Sequence, residues 1–274
     1  MHIIADIGGT NMRIAGCHDF ERFDEPVIHA TPQSYQEGLA LFVETARRIT
    51  GESAVSSIAV GVPGVVTSDK QSIINTPNLP DWSGKDLARD LSSQLGARAF
   101  LDNDVVFVGL GEAVYGAGVG ASIVVYITVS TGINGVRVVD GAVEKAAVGF
   151  EIGGQYLSIG EQPETFEDMV SGSAIARKYG VHPRDLGADS PVWEELAHIT
   201  AFAVHNTVLH WSPQRVVLGG SMFKEIGIAP ERVEAHLKTI MKKFPMTPEV
   251  VHSSLGDLGG LWGAMAFLKG SSTN

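Results

Sequence analysis

The stretch "DIGGTNMRIA", residues 6–15, decides the fold. It follows the apolar start "MHIIA" and reads as the end of one strand, a tight polar turn and a second strand. Two adjacent glycines would suffice for a hairpin turn, so Asp6, Thr10, Asn11 and Arg13 are surplus to that need. Gly8 and Gly9 let backbone N–H groups approach an anion closely, Thr10 and Asn11 add side-chain donors, and Arg13 adds charge. That is the chemistry of a phosphate-binding turn. No Gly-Lys-Ser/Thr follows at the required spacing, so it is not a Walker loop.

The rest of the chain bounds what this turn can serve. Its 274 residues suit one large domain or two small ones, and 44% hydrophobic with 19% charged residues suits a globular core. A formal net charge of −11 opposes a nucleic-acid backbone, so the expected partner is a small molecule. No apolar run approaches the roughly 20 residues of a membrane span, and the start lacks a basic stretch followed by an apolar one. Cytoplasm is the expected location. Cys17 is the only cysteine, which excludes an internal disulfide and a cysteine-based metal cluster. His198, His205 and His210 lack the i,i+4 spacing of a helical metal pair.

Helices and strands alternate along the chain. "SYQEGLALFVETARRITG" opens with Ser34 and Glu37 spaced as a capping box, carries Leu39, Phe42, Ala46 and Ile49 at helical spacing, and stops at Gly51. "SGKDLARDLSSQLG" predicts a second helix from Ser83, with Asp86 three residues on, and "ARAFLD" a strand after it. A helix follows from Val105 to about Tyr115. "GAGVGA", residues 116–121, follows that helix and opens a strand, the reverse of a dinucleotide fingerprint, so it is read as a connector. Then "SIVVYITVS" and "GINGVRVVDGAV" repeat the strand, turn, strand pattern of residues 2–16, which predicts two related α/β halves. Helices near 164–179, 191–211, 230–243 and 258–268 and the strand "RVVLGG" complete the second half. The expected small N-terminal domain is 1–104 plus about 258–274; the larger one is 105–257.

Polar segments mark candidate chemistry. "VSTGING" offers Thr131 and Gly132 as a second phosphate turn. "LDNDVV" sets Asn103 and Asp104 where a strand ends and a helix starts; Asp104 there serves either as a helix cap or as a base for an attacking hydroxyl, and the two roles can coexist. "NTPNLPDW" presents Asn78, and "GFEIGGQ" presents Glu151, on surface loops. Glu167 and Asp168 at a helix start read first as dipole compensation.

Taken in order, these motifs resemble the ROK family of sugar kinases and repressors, within the two-domain actin-like ATPase (ribonuclease H-like) fold that includes hexokinase. "DIGGTNMRIA" is similar to the family's first phosphate motif, "GVPGVV" to its glycine-proline-glycine turn with Gly64, and "PNLPDW" to its sugar loop. "NDVVFVGLGE", "VSTGINGV", "FEIGG", "FEDMVSG" and "VVLGGS" follow in the family's order. The resemblance implies an active site in an interdomain cleft that closes over the sugar. It makes Asp104 the catalytic base and gives Gly64, Asn78, Asn103, Glu151 and Glu167 to the sugar. It gives Asp6, Gly8, Gly9, Thr10, Asn11, Arg13, Thr131 and Gly132 to the phosphates of ATP, and Gly219 and Gly220 to its adenosine. Magnesium would travel with the phosphates and keep most of its waters, without a dedicated protein cage.

Two departures matter. Many family members carry a His after Glu-Ile-Gly and then a cysteine-rich zinc loop; here Gly154 and Gln155 follow and "YLSIGEQPE" has no cysteine, so structural zinc is not expected and a contact to the C1–C2 side of the sugar is missing. Ser130 and Asn134 stand where glycine is common. The resemblance implies ATP-dependent phosphorylation of a hexose, glucose first, with an amino or N-acetylated hexose or fructose as alternatives and a non-catalytic sugar sensor behind them. The repressor branch carries an additional N-terminal DNA-binding domain, and this sequence starts at the phosphate motif. A homodimer is common among similar proteins.

Overall fold

The structure is a computed structural model and describes residues 1–146, 149–224 and 226–272. The chain divides into two units, Met1–Val114 with Leu255–Asn274, and Tyr115–Ser254. In the first, β1 (His2–Ile7) pairs antiparallel with β2 (Asn11–Cys17), which pairs with β3 (Val27–Ala30). After α1 (Tyr35–Thr50), β4 (Ser57–Val62) runs parallel to β1. A small hairpin, β5 (Val65–Val66) and β6 (Ile73–Asn75), leads to α2 (Leu87–Leu95) and to β7 (Arg98–Asn103), which is parallel to β4. The helix α3 (Asp104–Tyr115) follows at once.

The second unit repeats this plan. β8 (Ile123–Val129) and β9 (Ile133–Val139) form its hairpin, extended by β10 (Ala142–Val143). Helices α4 (Phe166–Val170), α5 (Gly172–Tyr179) and α6 (Val192–Trp211) precede β11 (Arg215–Gly219), parallel to β8. After α7 (Pro230–Ile240), β12 (Glu249–His252) closes the sheet, and α8 (Gly259–Ser272) belongs to the first unit. The strand orders, β3-β2-β1-β4-β7 and β10-β9-β8-β11-β12, are the same topology twice. The repeat read from the sequence is real, and the fold is the mixed α/β, actin-like ATPase type.

Burial explains why the strands are nearly all apolar. β1 has helices over both faces, so Ile3, Ile4, Ala5 and Ile7 are all fully buried, as expected of a central strand with parallel pairing. α1 forms as its pattern predicts: Ser34 accepts from the Glu37 N–H, Leu39, Phe42, Val43 and Ala46 face the core, and Gly51 ends it at φ 56°.

Two helix readings need correction. α2 begins at Leu87, not at Ser83. Gly84 has φ +75°, outside the helical region, and Ser83 turns its hydroxyl back to accept from the Thr76 N–H at 3.0 Å. Burial of Trp82, edge-on to Tyr35 at 5.4 Å, overrides the local cap signal. The helix expected over 164–179 is broken at Ser171, which has ψ 154° and caps α5 through its hydroxyl. β12 was not anticipated, although "EVVH" has the β-branched pair of a strand.

Candidate active site

In the first unit, Asp104 opens α3 directly behind β7. The Val105 N–H donates both to Asn103 Oδ1 at 3.0 Å and to Asp104 Oδ1 at 2.9 Å, so Asn103 shares the capping task. Asn103 also donates through Nδ2 to the Gly64 carbonyl at 2.8 Å, and its N–H donates to Asp102, itself paired with Lys70. Held at both ends, the amide retains one N–H and spare acceptor capacity for a ligand. Gly64 has φ +91° and presses on the Asn75 backbone, so the turn that receives Asn103 requires glycine.

Electrostatics single out Asp104. Burial pushes its pKa up to about 7, the negative charge of Asp6 adds to the push, and the Val105 N–H opposes it. Asp6 is raised to about 6 by burial, against the pull of Arg13, whose Nη1 lies 3.8 Å from Asp6 Oδ2. Two acids share one desolvated corner. Among the described residues, nothing donates to the second oxygen of Asp104, which is free to take a proton.

The turn between β1 and β2 borders this corner. The Gly8 N–H donates to the Asn11 carbonyl at 2.8 Å, closing the turn, and Thr31 clamps it by donating its N–H to Thr10 O and its hydroxyl to Gly8 O. The Gly9 and Thr10 amides have no acceptor among the described residues. They are the donors a phosphate would meet. Thr31 was not read from the sequence, since "HATP" carries no signal for a contact 21 to 23 residues back along the chain. Asn78 lies on the same turn: a Cβ at residue 9 would sit 2.9 Å from Asn78 Cβ. Its loop is anchored by the buried Leu79 and Trp82, leaving Asn78 exposed.

In the second unit, three segments meet at the start of β9. The Ile133 N–H donates to Glu167 Oε2 at 2.7 Å, and Gly132 faces the same oxygen. Gly153 packs against the Ile133 backbone, which seats the Glu151 segment there. Glu151 is raised by burial and then by the charge of Glu167, so the two carboxylates are near neighbours. Asp168 has a separate role, closing a capping box with Thr165. Ser130 accepts from the Ser221 N–H at 3.0 Å, tying the second turn to the strand end at Gly219–Gly220. Gly220, at φ +95°, is pressed against the Val129 carbonyl, and Gly219 against Tyr126 and Ser253. Gly154 stands directly after Glu-Ile-Gly, where many family members carry His, and the next side chain, Gln155, donates to the Ile152 carbonyl and accepts from Asn206.

A cavity of about 180 Å³ opens beside this turn, lined by Thr131, Ser173, His182, Arg184, Ser221 and Met222 among others. It is smaller than the roughly 300 Å³ of a drug-sized ligand site, so it suits one part of a ligand. Pro183 is buried and His182 Nδ1 accepts from the Arg184 N–H, which fixes the short turn carrying both side chains. His182 and Arg184 were not singled out from the sequence, because the cavity is assembled from segments far apart in the chain.

The chain is a sugar kinase of the actin-like ATPase fold. The chain belongs to the ROK family, whose model it matches over residues 3–271. It is similar to a ROK hexokinase structure from Thermus thermophilus (26% identity, 98% of this chain and 99% of that one, TM-score 0.86). A ROK glucokinase from Streptomyces griseus, solved with glucose and AMPPNP, shares the fold at 20% identity (97% and 98% covered, TM-score 0.78). The glucokinase of Thermotoga maritima is 26% identical over 96% of both chains. Relatives at similar distance are named fructokinase in Zymomonas mobilis (26%, 94% of this chain and 93% of that one) and N-acetyl-D-glucosamine kinase in Salmonella typhimurium (25%, 96% and 97%).

Proposed function

We propose that this protein transfers the γ-phosphoryl group of ATP to the 6-hydroxyl of a hexose, glucose first. One observation carries the reading: Asp104 is a desolvated carboxylate with one oxygen unengaged and a pKa of about 7, beside a turn of free amides. A general base works best when its pKa lies near the working pH. As the sugar oxygen bonds to the γ-phosphorus and the bond to the β-phosphate oxygen breaks, the hydroxyl proton passes to Asp104. ADP departs with the bridging oxygen.

The other residues orient and neutralise. Asn78, Asn103, Glu151 and Glu167 would hold the remaining sugar hydroxyls, with Gly64 shaping the turn that receives Asn103. The Gly9 and Thr10 amides, with Asn11 and Arg13, would meet the β- and γ-phosphates, and so would Thr131 and Gly132. Gly219 and Gly220 would shape the adenosine side, and the cavity with His182 and Arg184 would take the nucleoside end. Magnesium fits this oxygen-rich donor set: Asp6 is the acid nearest the phosphate turn, suited to face a hydrated ion carried by the phosphates. When bound, that ion supplies charge neutralisation on the phosphates.

A second reading, a hexose substituted at C2, is favoured by Gly154, which stands directly after Glu-Ile-Gly. Glycine offers no side chain where the resemblance places a His on the C1–C2 side of the sugar, and the neighbouring Gln155 side chain is engaged with Ile152 and Asn206. The test is ADP release from Mg-ATP against glucose, mannose, fructose, glucosamine, N-acetylglucosamine and N-acetylmannosamine. Turnover concentrated on glucose supports the first reading, and on an amino or N-acetylated sugar the second. No turnover with any sugar, while ATP binds, would leave a sugar sensor. A cytoplasmic homodimer is the expected setting.

A further inference from the structure

The buried Glu112 takes no part in the chemistry above, yet it is 1% exposed and its Oε1 accepts from the Leu255 N–H at 2.9 Å. Leu255 precedes α8, and Glu112 lies on α3, 143 residues earlier in the chain. The two helices meet backbone to backbone. A Cβ on Gly111 would lie 2.7 Å from the Gly259 carbonyl oxygen and 2.8 Å from the Gly263 nitrogen, and Gly263 sits against the Phe107 backbone. Side chains at these positions would force the helices apart.

Each helix also touches one acid of the site. Asp104 is the first residue of α3. A Cβ on Gly260, in the first turn of α8, would lie 2.6 Å from Asp6 Cγ. Between them, a Cβ on Gly61 would be 3.5 Å from both Asp104 Cα and Asp6 Oδ1. The spacing of the two carboxylates is therefore set by how α3 and α8 are docked. Glu112, about two turns along α3 from Asp104, is the side chain that bonds the segment leading into α8.

We infer that Glu112 is a positioning residue for phosphoryl transfer, holding α8 against α3 so that Asp6 and Asp104 keep their separation. The inference rests on Asp104 acting as the base. Asn78, Glu151 and Glu167 stand on other segments, so sugar binding should be spared. A displacement of about 1 Å at reacting groups is enough to lower a rate by up to about 10²-fold.

The test compares wild type with Glu112→Ala, Glu112→Gln and Leu255→Pro, which removes the donor and leaves the acid. Expected for Glu112→Ala and Leu255→Pro is a kcat about tenfold lower with the sugar KM within about twofold; Glu112→Gln, which keeps an acceptor oxygen, should recover most of kcat. A folded Glu112→Ala with wild-type kcat, or a Glu112→Gln as poor as Glu112→Ala, would overturn the inference; if Glu112→Ala does not fold, Leu255→Pro decides. Hydrogen exchange supplies a second readout: peptides over 5–12 and 255–263 should exchange faster in Glu112→Ala, and unchanged rates would count against the role. If wild type phosphorylates no sugar, the kinase reading fails by itself and the exchange comparison still decides the positioning of α8.

Discussion

Asp6 and Asp104, 98 residues apart in sequence, share one desolvated corner in which the charge on Asp6 raises the pKa of Asp104. Paired acids of this kind cannot both ionise without penalty, which gives the corner its affinity for a proton or for cationic charge. Five of the proposed site features in the first unit lie around it: the phosphate turn, Arg13, Asn103, Asn78 and the start of α3.

Activity should follow the ionisation of Asp104. Protonation removes the base, so kcat should rise with pH through about 7 and level off above it, and a pH–rate profile checks this. Asp104→Asn should lower kcat by about 10²-fold or more while leaving sugar binding near wild type. Unchanged turnover would remove Asp104 from the role.

The same shift has a stability consequence of opposite sense. The folded-state pKa of Asp104 lies above its ordinary value of 3.8, so the folded protein holds the proton more tightly; this stabilisation is full below about pH 4 and is lost as pH rises through about 7. At pH 8 Asp104→Asn should therefore unfold later than wild type, by about 1–2 kcal/mol or a few degrees in Tm. A thermal melt at pH 8 showing the variant less stable would contradict the desolvation argument.

Gly9→Ala should raise the sugar KM about tenfold with little loss of stability. Its Cβ would displace Asn78, whereas residue 9 lies in a turn outside the core and has no left-handed φ. Steady-state kinetics beside a thermal melt would separate the two effects.

Glu151 and Glu167 should part company. Glu151→Gln should weaken the sugar by about tenfold in KM and leave ATP unaffected. Glu167→Ala removes the acceptor for the Ile133 N–H at the second phosphate turn, so it should raise KM for both substrates. Equal effects of the two variants on ATP would count against this division.

Arg184→Ala should raise the KM for ATP severalfold without changing the sugar KM, because the side chain lines the cavity beside Thr131 and Ser221. Calorimetric titration with ADP in the absence of sugar reads the same loss directly. Equal ADP affinity in variant and wild type would place the nucleoside elsewhere.

Much was legible locally. A strand followed by "GGT", the Ser34 to Gly51 helix and the repeat at residue 122 are short-range patterns of polarity and turn chemistry, and they carry their meaning without tertiary help. The helix expected from Ser83 fails for the complementary reason: its cap signal is local, but Trp82 and Gly84 answer to the core and to backbone geometry. Likewise Ser171 breaks one apparent helix into two where the Gly172 N–H donates to the Ser130 carbonyl.

What the sequence by itself determined is the set of groups: the two glycine-rich polar turns, the acids and amides, and the twofold α/β plan. Only the tertiary structure decided how they act, because burial and charge coupling depend on neighbours distant in the chain. Asp104 has its pKa raised to about 7 by burial and by the charge of Asp6, Asn103 is oriented by Gly64, and the Gly9 and Thr10 amides are left free because Gly8 and Thr31 close the turn. A residue's type is a local property; its pKa, its remaining hydrogen-bonding capacity and its distance from a partner are properties of the packed fold.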